Sequence, residues 1–202
     1  MKICYIVGAG DFYGDFSPNA DDLVIAADGG YDTLKELNIR IDLLIGDLDS
    51  IKDAPTGVEL IRHPVEKDEN DMHLAYLEGR RRGYTFFEIY GGVGGRADHT
   101  FANYCLLSYI KANGNSARLY DKNSIAYVIK NEATRVTGKP EKHISLFAFG
   151  GVARGVRIKG LYYGLEDGEL SPEFPLGVSN RFVTESADIE VRDGELLVIQ
   201  EI

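Results

Sequence analysis

Four short stretches of this chain carry residues that could do phosphate or metal chemistry. AADGG contains Asp28. IDLLIGDLDS contains Asp47 and Asp49. HPVEKDEND contains Lys67, Asp68 and Asp71. GGVGGRADHT contains Gly95, Arg96, Asp98 and His99. Asp47 and Asp49 stand one residue apart directly after an apolar run, where an uncompensated charge is costly. One reading is a polar turn in which Asp and Ser serve the backbone. The other is a cation or phosphate site at a strand end. Like charges about 5 Å apart repel by roughly 3 kcal/mol per pair at an effective dielectric near 20, so a crest of such carboxylates calls for a cation. An oxygen-only ligand set, with no Cys or His at zinc spacing, selects Mg²⁺, which takes its remaining ligands from water and substrate phosphates.

The elements that would have to position these residues are legible from patterning. Apolar runs at Ile3–Val7, Leu23–Ala27, Leu43–Ile45, Val58–Ile61, Phe86–Tyr90 and Ala117–Tyr120 alternate with YDTLKELN, DMHLAYLEGRRR and HTFANYCLLSYIKA. The latter repeat apolar residues every three or four positions, as helices do. Strands alternating with helices predict a parallel sheet covered on both faces, a Rossmann-like α/β domain over residues 1–125. Its acidic motifs all follow strands, so a parallel sheet gathers them on one edge, the edge at which open α/β sheets bind ligands. In GGVGGR, Gly91, Gly92, Gly94 and Gly95 let the backbone approach a bulky anion, and Arg96 adds a planar donor fork. The GAG of Gly8–Gly10 lacks the third glycine of a dinucleotide fingerprint and is discounted.

Each residue also has a structural reading. Asp68 is a candidate cap for the helix starting near Asn70, Asp98 a candidate cap for the next one, Asp28 a turn residue and His99 a structural donor. His63, His73 and His143 have no ligand-like spacing. The Arg80-Arg81-Arg82 cluster reads as a solvated helix end.

Beyond Asn123 the texture changes to HISLFAFGG, VRIKGLYYG and RFVTESADIEVRDGELLVIQEI, β-branched and aromatic with no helical pattern. This predicts an all-β domain over residues 126–202, with a hairpin turn at Asp193-Gly194. The formal net charge of −10 gives a nucleic acid no electrostatic reason to bind. Two cysteines are too few for a disulfide framework or a zinc cluster. With no apolar run long enough to span a bilayer and no leader-like N-terminus, the expectation is a cytoplasmic protein without a membrane partner.

In order along the chain, AADGG, IDLLIGDLDS, KDENDMHLA, GGVGGRADHTFAN and PLGVSN resemble the motifs of the thiamin pyrophosphokinase family, from Asp28 to Asn180. One departure is Asn70, where the family often has Thr. The resemblance implies transfer of the pyrophosphoryl group of ATP to the hydroxyl of thiamin, giving thiamin diphosphate and AMP. It implies that Asp28, Asp47, Asp49 and Asp71 bind Mg²⁺ and that Asp47, Asp49, Asp71, Arg96 and Asp98 serve catalysis. Lys67, Asp68, Gly95, Arg96 and His99 would bind ATP, and Gly177, Val178, Ser179 and Asn180 thiamin. It also implies an α/β domain, a β-sandwich second domain and a homodimer with its sites at the subunit interface. Because the chain has no Trp, any ring stacked on the vitamin is Tyr or Phe. Two other readings are compatible with parts of the pattern: a haloacid-dehalogenase-type phosphatase with Asp47 as nucleophile, and a non-catalytic thiamin- or nucleotide-binding module.

Overall fold

The computed structural model describes residues 1–47, 57–62 and 70–202. The chain divides into two compact units, Met1–Leu106 with Gly114–Lys122, and Leu107–Asn113 with Asn123–Ile202. Among the described residues no helix is long and apolar enough to cross a membrane.

The first unit contains β1 (Cys4–Val7), β2 (Leu23–Ala27), α1 (Gly30–Glu36), β3 (Leu43–Gly46), β4 (Glu59–Arg62), α2 (Asp71–Arg81), β5 (Phe86–Tyr90), the first part of α3 (Ala97–Ala112) and β6 (Ser116–Tyr120). All six strands pair in parallel, in the order β6-β5-β1-β2-β3-β4. The chain winds outward from β1 to β4, then returns to the other side of β1 at β5. That reversal is a topological switch point, where neighbouring connections leave in opposite directions.

Side chains alternate across this sheet. Cys4 and Phe87 face α2 so closely that a methyl on Gly79 would lie 2.8 Å from the Sγ of the first and from the ring of the second. On the other face Tyr5, Val7, Val24, Ala26, Leu44 and Tyr90 form a core with Leu34 of α1. The β1–β2 connection has no helix to cover this face. Phe12 and Phe16 cover part of it instead. Phe16 stacks on Tyr5 at 4.3 Å and on Tyr90 at 4.9 Å, and Tyr90 stacks on Tyr120 at 4.5 Å.

At the far end of α2 the arginine cluster is ion-paired rather than merely solvated. Arg82 bonds Glu78 at 2.6 Å and Glu59 of β4 at 2.7 Å, with only 24% of its side chain exposed. Arg81 bonds Glu78 at 2.7 Å. Spacings of three and four residues put these groups on one helix face.

The second unit is built from β7 (Ser124–Thr137), β8 (His143–Ala148), β9 (Ala153–Lys159), β10 (Leu165–Leu170), β11 (Asn180–Arg181) and β12 (Ser186–Glu201), grouped with the last residues of α3. Every pairing is antiparallel: β7–β12, β12–β9, β12–β8, β9–β10 and β8–β11. Inward residues such as Ile144, Leu146, Val156, Phe182, Ile189 and Val198 form its core.

The expected turn at Asp193-Gly194 is absent: both residues lie inside the 16-residue β12. The register along β7 shifts between Val191 and Glu195, which marks a bulge. Gly194 has φ 106°, and its N–H donates to Asn131 Oδ1 at 2.9 Å. Asp-Gly signals a need for positive φ, which a hairpin and a bulge share. Continuous pairing with β7 decides for the bulge. On its other edge β12 pairs with β9 from Asp188 to Asp193 and with β8 from Leu196 to Gln200.

Candidate active site

The carboxyl ends of β2 and β3 bring the first two candidate metal ligands together. Ala27 pairs with Ile45, and the N–H of Asp28 continues the ladder to the Ile45 carbonyl at 2.8 Å. Asp28 then takes φ 48°, a left-handed conformation that is costly for most residues and eased in Asp by local hydrogen bonding. Its main chain lies so close to Gly46 that a methyl there would sit 3.3 Å away, and Asp47 is the next residue. Gly30 is required by packing, because a methyl would overlap the Val7 carbonyl oxygen at the end of β1. The start of α1 is thereby pressed against the C-terminal end of the sheet.

Asp71 opens α2, and Asn70 is its cap, accepting the His73 N–H at 2.9 Å. The residue that departs from the family pattern therefore performs the capping role. Asp49, Lys67 and Asp68 lie outside the described residues, as does His63.

Asp28, Asp47 and Asp71 offer only carboxylate oxygens, which suits a hard divalent cation in kind. Among the described residues, no group of three or more His, Cys, Asp or Glu side chains is close enough to hold a metal ion.

The glycine-rich loop after β5 is more constrained than its composition implies. The loop after β1 is zipped to it: Gly8 N–H donates to Tyr90 O at 2.9 Å, Gly10 to Gly91 O at 2.8 Å, and Asp11 to Val93 O at 2.9 Å. A methyl on Gly91 would overlap Gly8 O, and one on Gly94 would overlap the Asp11 carboxylate. A methyl on Gly92 would lie 2.7 Å from Leu119 and 3.2 Å from Asn103. Buried Asn103 in turn donates to Gly92 O at 2.7 Å. Three of the four glycines thus serve packing within the protein. Only at Gly95, with φ 62°, is there nothing within 4 Å of an added methyl, so an anion has room to reach that backbone.

The discounted Gly8–Gly10 motif is half of this arrangement, and Asp11 belongs with it. Its signal was a second glycine-rich strand end, but only the strand order makes β1 and β5 neighbours.

Arg96 follows Gly95 and is held by its own neighbour. Its Nε and Nη2 bond both oxygens of Asp98, at 3.1 and 2.6 Å. The Arg96 guanidinium holds the Asp98 carboxyl below the usual range, aided by the His99 N–H at 3.0 Å. Asp98 is therefore the carboxylate partner of Arg96, and its Oδ1 accepts the N–H of His99 beside it. Arg96 and Asp98 are largely exposed, at 72% and 64% of their side chains, so an incoming phosphate can share or replace the pair.

In the second unit, the four loop residues of PLGVSN divide into two pairs. Gly177 and Asn180 are buried, while Val178 and Ser179 are exposed. Gly177 is pressed on β8: Leu146 N–H donates to its carbonyl at 3.0 Å, and a methyl would overlap Leu146 O. Ser179 has φ 57°, and its N–H donates to Ser145 Oγ at 3.1 Å. Asn180 is 2% exposed and makes its bonds inside the protein, to the main chain of Tyr163 and to Arg181 N–H. Beside it Tyr162 and Tyr163 present their rings to solvent, 55% and 63% exposed and edge-on at 4.9 Å. The Arg181 guanidinium lies 4.2 Å over the Tyr162 ring and pairs with Glu141. Sequence patterning singles out neither tyrosine.

Residues 17–119 match the family model described as thiamin pyrophosphokinase, catalytic domain, and residues 127–196 match that described as thiamin pyrophosphokinase, vitamin B1 binding domain. Thiamine pyrophosphokinase of Bacillus subtilis (strain 168) is 28% identical over 214 residues, covering 99% of each chain. A crystal structure of thiamine pyrophosphokinase from Bacillus subtilis aligns with TM-score 0.90 at 24% identity, over 98% of each chain. Thiamin pyrophosphokinase from Candida albicans aligns with TM-score 0.77 at 16% identity, over 100% of this chain and 88% of that one. The two matched models together span the acidic strand ends, the glycine-rich loop and the PLGVSN loop, and this chain belongs to the thiamin pyrophosphokinase family.

Proposed function

We propose that this chain transfers the pyrophosphoryl group of ATP to the hydroxyl of thiamin, releasing thiamin diphosphate and AMP, in the cytoplasm where ATP is abundant. The observation that carries this reading is the adjacency of Asp28 and the Gly46–Asp47 segment at neighbouring parallel strand ends. Asp28, Asp47, Asp49 and Asp71 would hold Mg²⁺, which neutralises charge on a polyphosphate when bound. Arg96 exchanges its Asp98 partner for phosphate oxygens, to which its planar donor fork is matched. The Gly95 backbone admits the polyphosphate, and Lys67, Asp68 and His99 are the further residues assigned to ATP in this reading. Catalysis of this kind consists mainly of positioning and charge stabilisation, and needs no covalent step on the protein.

For thiamin, exposed Ser179 and Val178 offer a hydroxyl and an apolar contact, and Tyr163 or Tyr162 a ring for the aminopyrimidine. The working assembly in this reading is a homodimer, in which one subunit's acidic crest serves the other's PLGVSN loop. Incubation with ATP, Mg²⁺ and thiamin tests the reaction: thiamin diphosphate and AMP in equal amounts support it, and inorganic phosphate without AMP refutes it. Two-tag mixed dimers test the assembly. Pairing an Asp47→Asn chain with a Tyr163→Ala chain restores about half the wild-type rate per dimer if sites form in trans. If a verified mixed dimer does not exceed either parent, the trans arrangement is wrong.

A further inference from the structure

Asn180 belongs to the PLGVSN loop, and its polar side chain invites assignment as a direct ligand of the pyrimidine. Its geometry favours a different role. The segment Gly160–Tyr163 runs antiparallel to Asn180–Val183. Val183 N–H donates to Gly160 O at 3.2 Å, Leu161 bridges Phe182, and Tyr162 N–H donates to Arg181 O at 2.9 Å. The next pair in such a ladder would require the main chain before Asn180 to remain extended, but Ser179 is at φ 57° and turns away. The ladder ends there, with Arg181 N–H turned to Asn180 Oδ1, and the Asn180 side chain takes up the Tyr163 main chain beyond it. Its Oδ1 accepts Tyr163 N–H at 2.9 Å, and its Nδ2 donates to Tyr163 O at 2.8 Å. A primary amide presents the same C=O and N–H as a peptide, so it can pair with both main-chain groups of one residue. Oδ1 also accepts Arg181 N–H at 2.9 Å.

We propose that Asn180 is a positioning residue, a side-chain stand-in for a peptide group that locks the Tyr163 main chain and so fixes the Tyr162–Tyr163 rings as a substrate-facing ledge. Three further observations agree with this. Asn180 is 2% exposed, whereas the two rings are more than half exposed. Both acceptor positions of Oδ1 are filled. The ledge is braced from the same strand, because Arg181 covers Tyr162 and is itself paired with Glu141. Asn180 acts through Tyr163 and does not touch substrate. This role rests on the reading of the loop as the thiamin subsite.

The test is a double-mutant cycle on the thiamin KM, with Asn180→Ala, Tyr163→Ala and their combination. Each single variant raises the thiamin KM about tenfold or more and leaves the ATP KM within twofold. In the Tyr163→Ala background, Asn180→Ala adds less than about twofold, because the ledge that it orients is already gone. Multiplicative effects would overturn the proposal and leave the thiamin subsite standing. An unchanged thiamin KM in both single variants would overturn the subsite reading and this proposal together.

A second readout distinguishes contact from positioning. Discrimination between thiamin and an analogue lacking the pyrimidine amino group is unchanged in Asn180→Ala if Asn180 does not bond that group; lost discrimination overturns the proposal. Should Asn180→Ala fail to fold, the wild-type protein still answers. In ¹H–¹⁵N and aromatic ¹H–¹³C spectra titrated with thiamin, the Asn180 side-chain amide, assigned by its proximity to the Tyr163 N–H, remains in place while the Tyr163 ring signals move. An Asn180 amide that moves more than the Tyr163 ring rules the role out.

Discussion

The two candidate binding regions solve one problem, holding a loop still beside a ligand, by different means. In the first unit the loops after β1 and β5 are joined backbone to backbone, and glycine is the residue that permits it. In the second, a main-chain ladder ends at the turn of Ser179, and the Asn180 side chain holds the main chain beyond it. The first device depends on the absence of side chains and the second on the presence of one. Steric fixation of this kind tolerates no added atom, whereas hydrogen-bonded fixation tolerates no lost donor or acceptor.

This contrast can be broken most forcefully at the acidic strand ends, where charge rather than packing should govern. Asp47→Asn is expected to lower turnover by about 100-fold or more while leaving the melting temperature near that of the wild type. Retained turnover at ordinary Mg²⁺ would remove Asp47 from the chemistry and leave only loop architecture to explain the site.

The steric half of the comparison is sharpened by three glycines. Gly30→Ala and Gly91→Ala force a methyl onto a backbone carbonyl oxygen, and each should destabilise the protein by about 2–3 kcal/mol in denaturant unfolding. Gly95→Ala meets no neighbour and carries only the strain of φ 62°, roughly 1 kcal/mol. Its stability cost should be the smallest of the three and its effect on the ATP KM the largest. Equal stability losses at all three positions would mean that Gly95 is packed like the others.

In the second unit, the exposed Ser179 hydroxyl is a candidate contact rather than a strut. Ser179→Ala should raise the thiamin KM about fivefold, equivalent to about 1 kcal/mol for one lost hydrogen bond, without changing the melting temperature. A fall in stability with unchanged KM would place its hydroxyl in the scaffold.

The smallest effect concerns the scaffold of the first unit away from the site. Hydrogen bonds from Arg81 and Arg82 hold the Glu78 carboxyl down to about 2, against an ordinary value of 4.5. A depressed carboxylate contributes stability that is fully present above the ordinary value and is lost as pH falls toward the folded one. Glu78→Gln should therefore flatten the acid limb of the stability curve between about pH 4.5 and 2. An unchanged acid limb would mean that the Glu78 pairs with Arg81 and Arg82 contribute nothing to stability.

How far the sequence could be read differs between the two regions for the same physical reason. The strands at Leu23–Ala27 and Leu43–Gly46 follow the apolar runs, because a strand buried on both faces is apolar along its length. Asp28 and Asp47 could be placed at strand ends, since alternation of strands and helices already implies a common edge. The pairing of Arg96 with Asp98 was not legible, because composition does not tell which of two partners a guanidinium takes. The same holds for Asp193-Gly194, whose positive-φ signal is local while the choice between hairpin and bulge is made by β7.

By itself, the sequence determined the strands and helices of the first unit, the acidic residues that follow them, and membership of a family whose motifs occur here in order. Those properties are written in nearest neighbours and short periods, which survive without knowledge of the fold. The tertiary structure alone decided that β1 lies beside β5, that Gly95 is the one glycine of its loop open to a ligand, and that the Asn180 amide turns inward to Tyr163. Each of these depends on groups far apart in the chain competing for the same space and the same hydrogen bonds, and that competition is settled only when the sheets close.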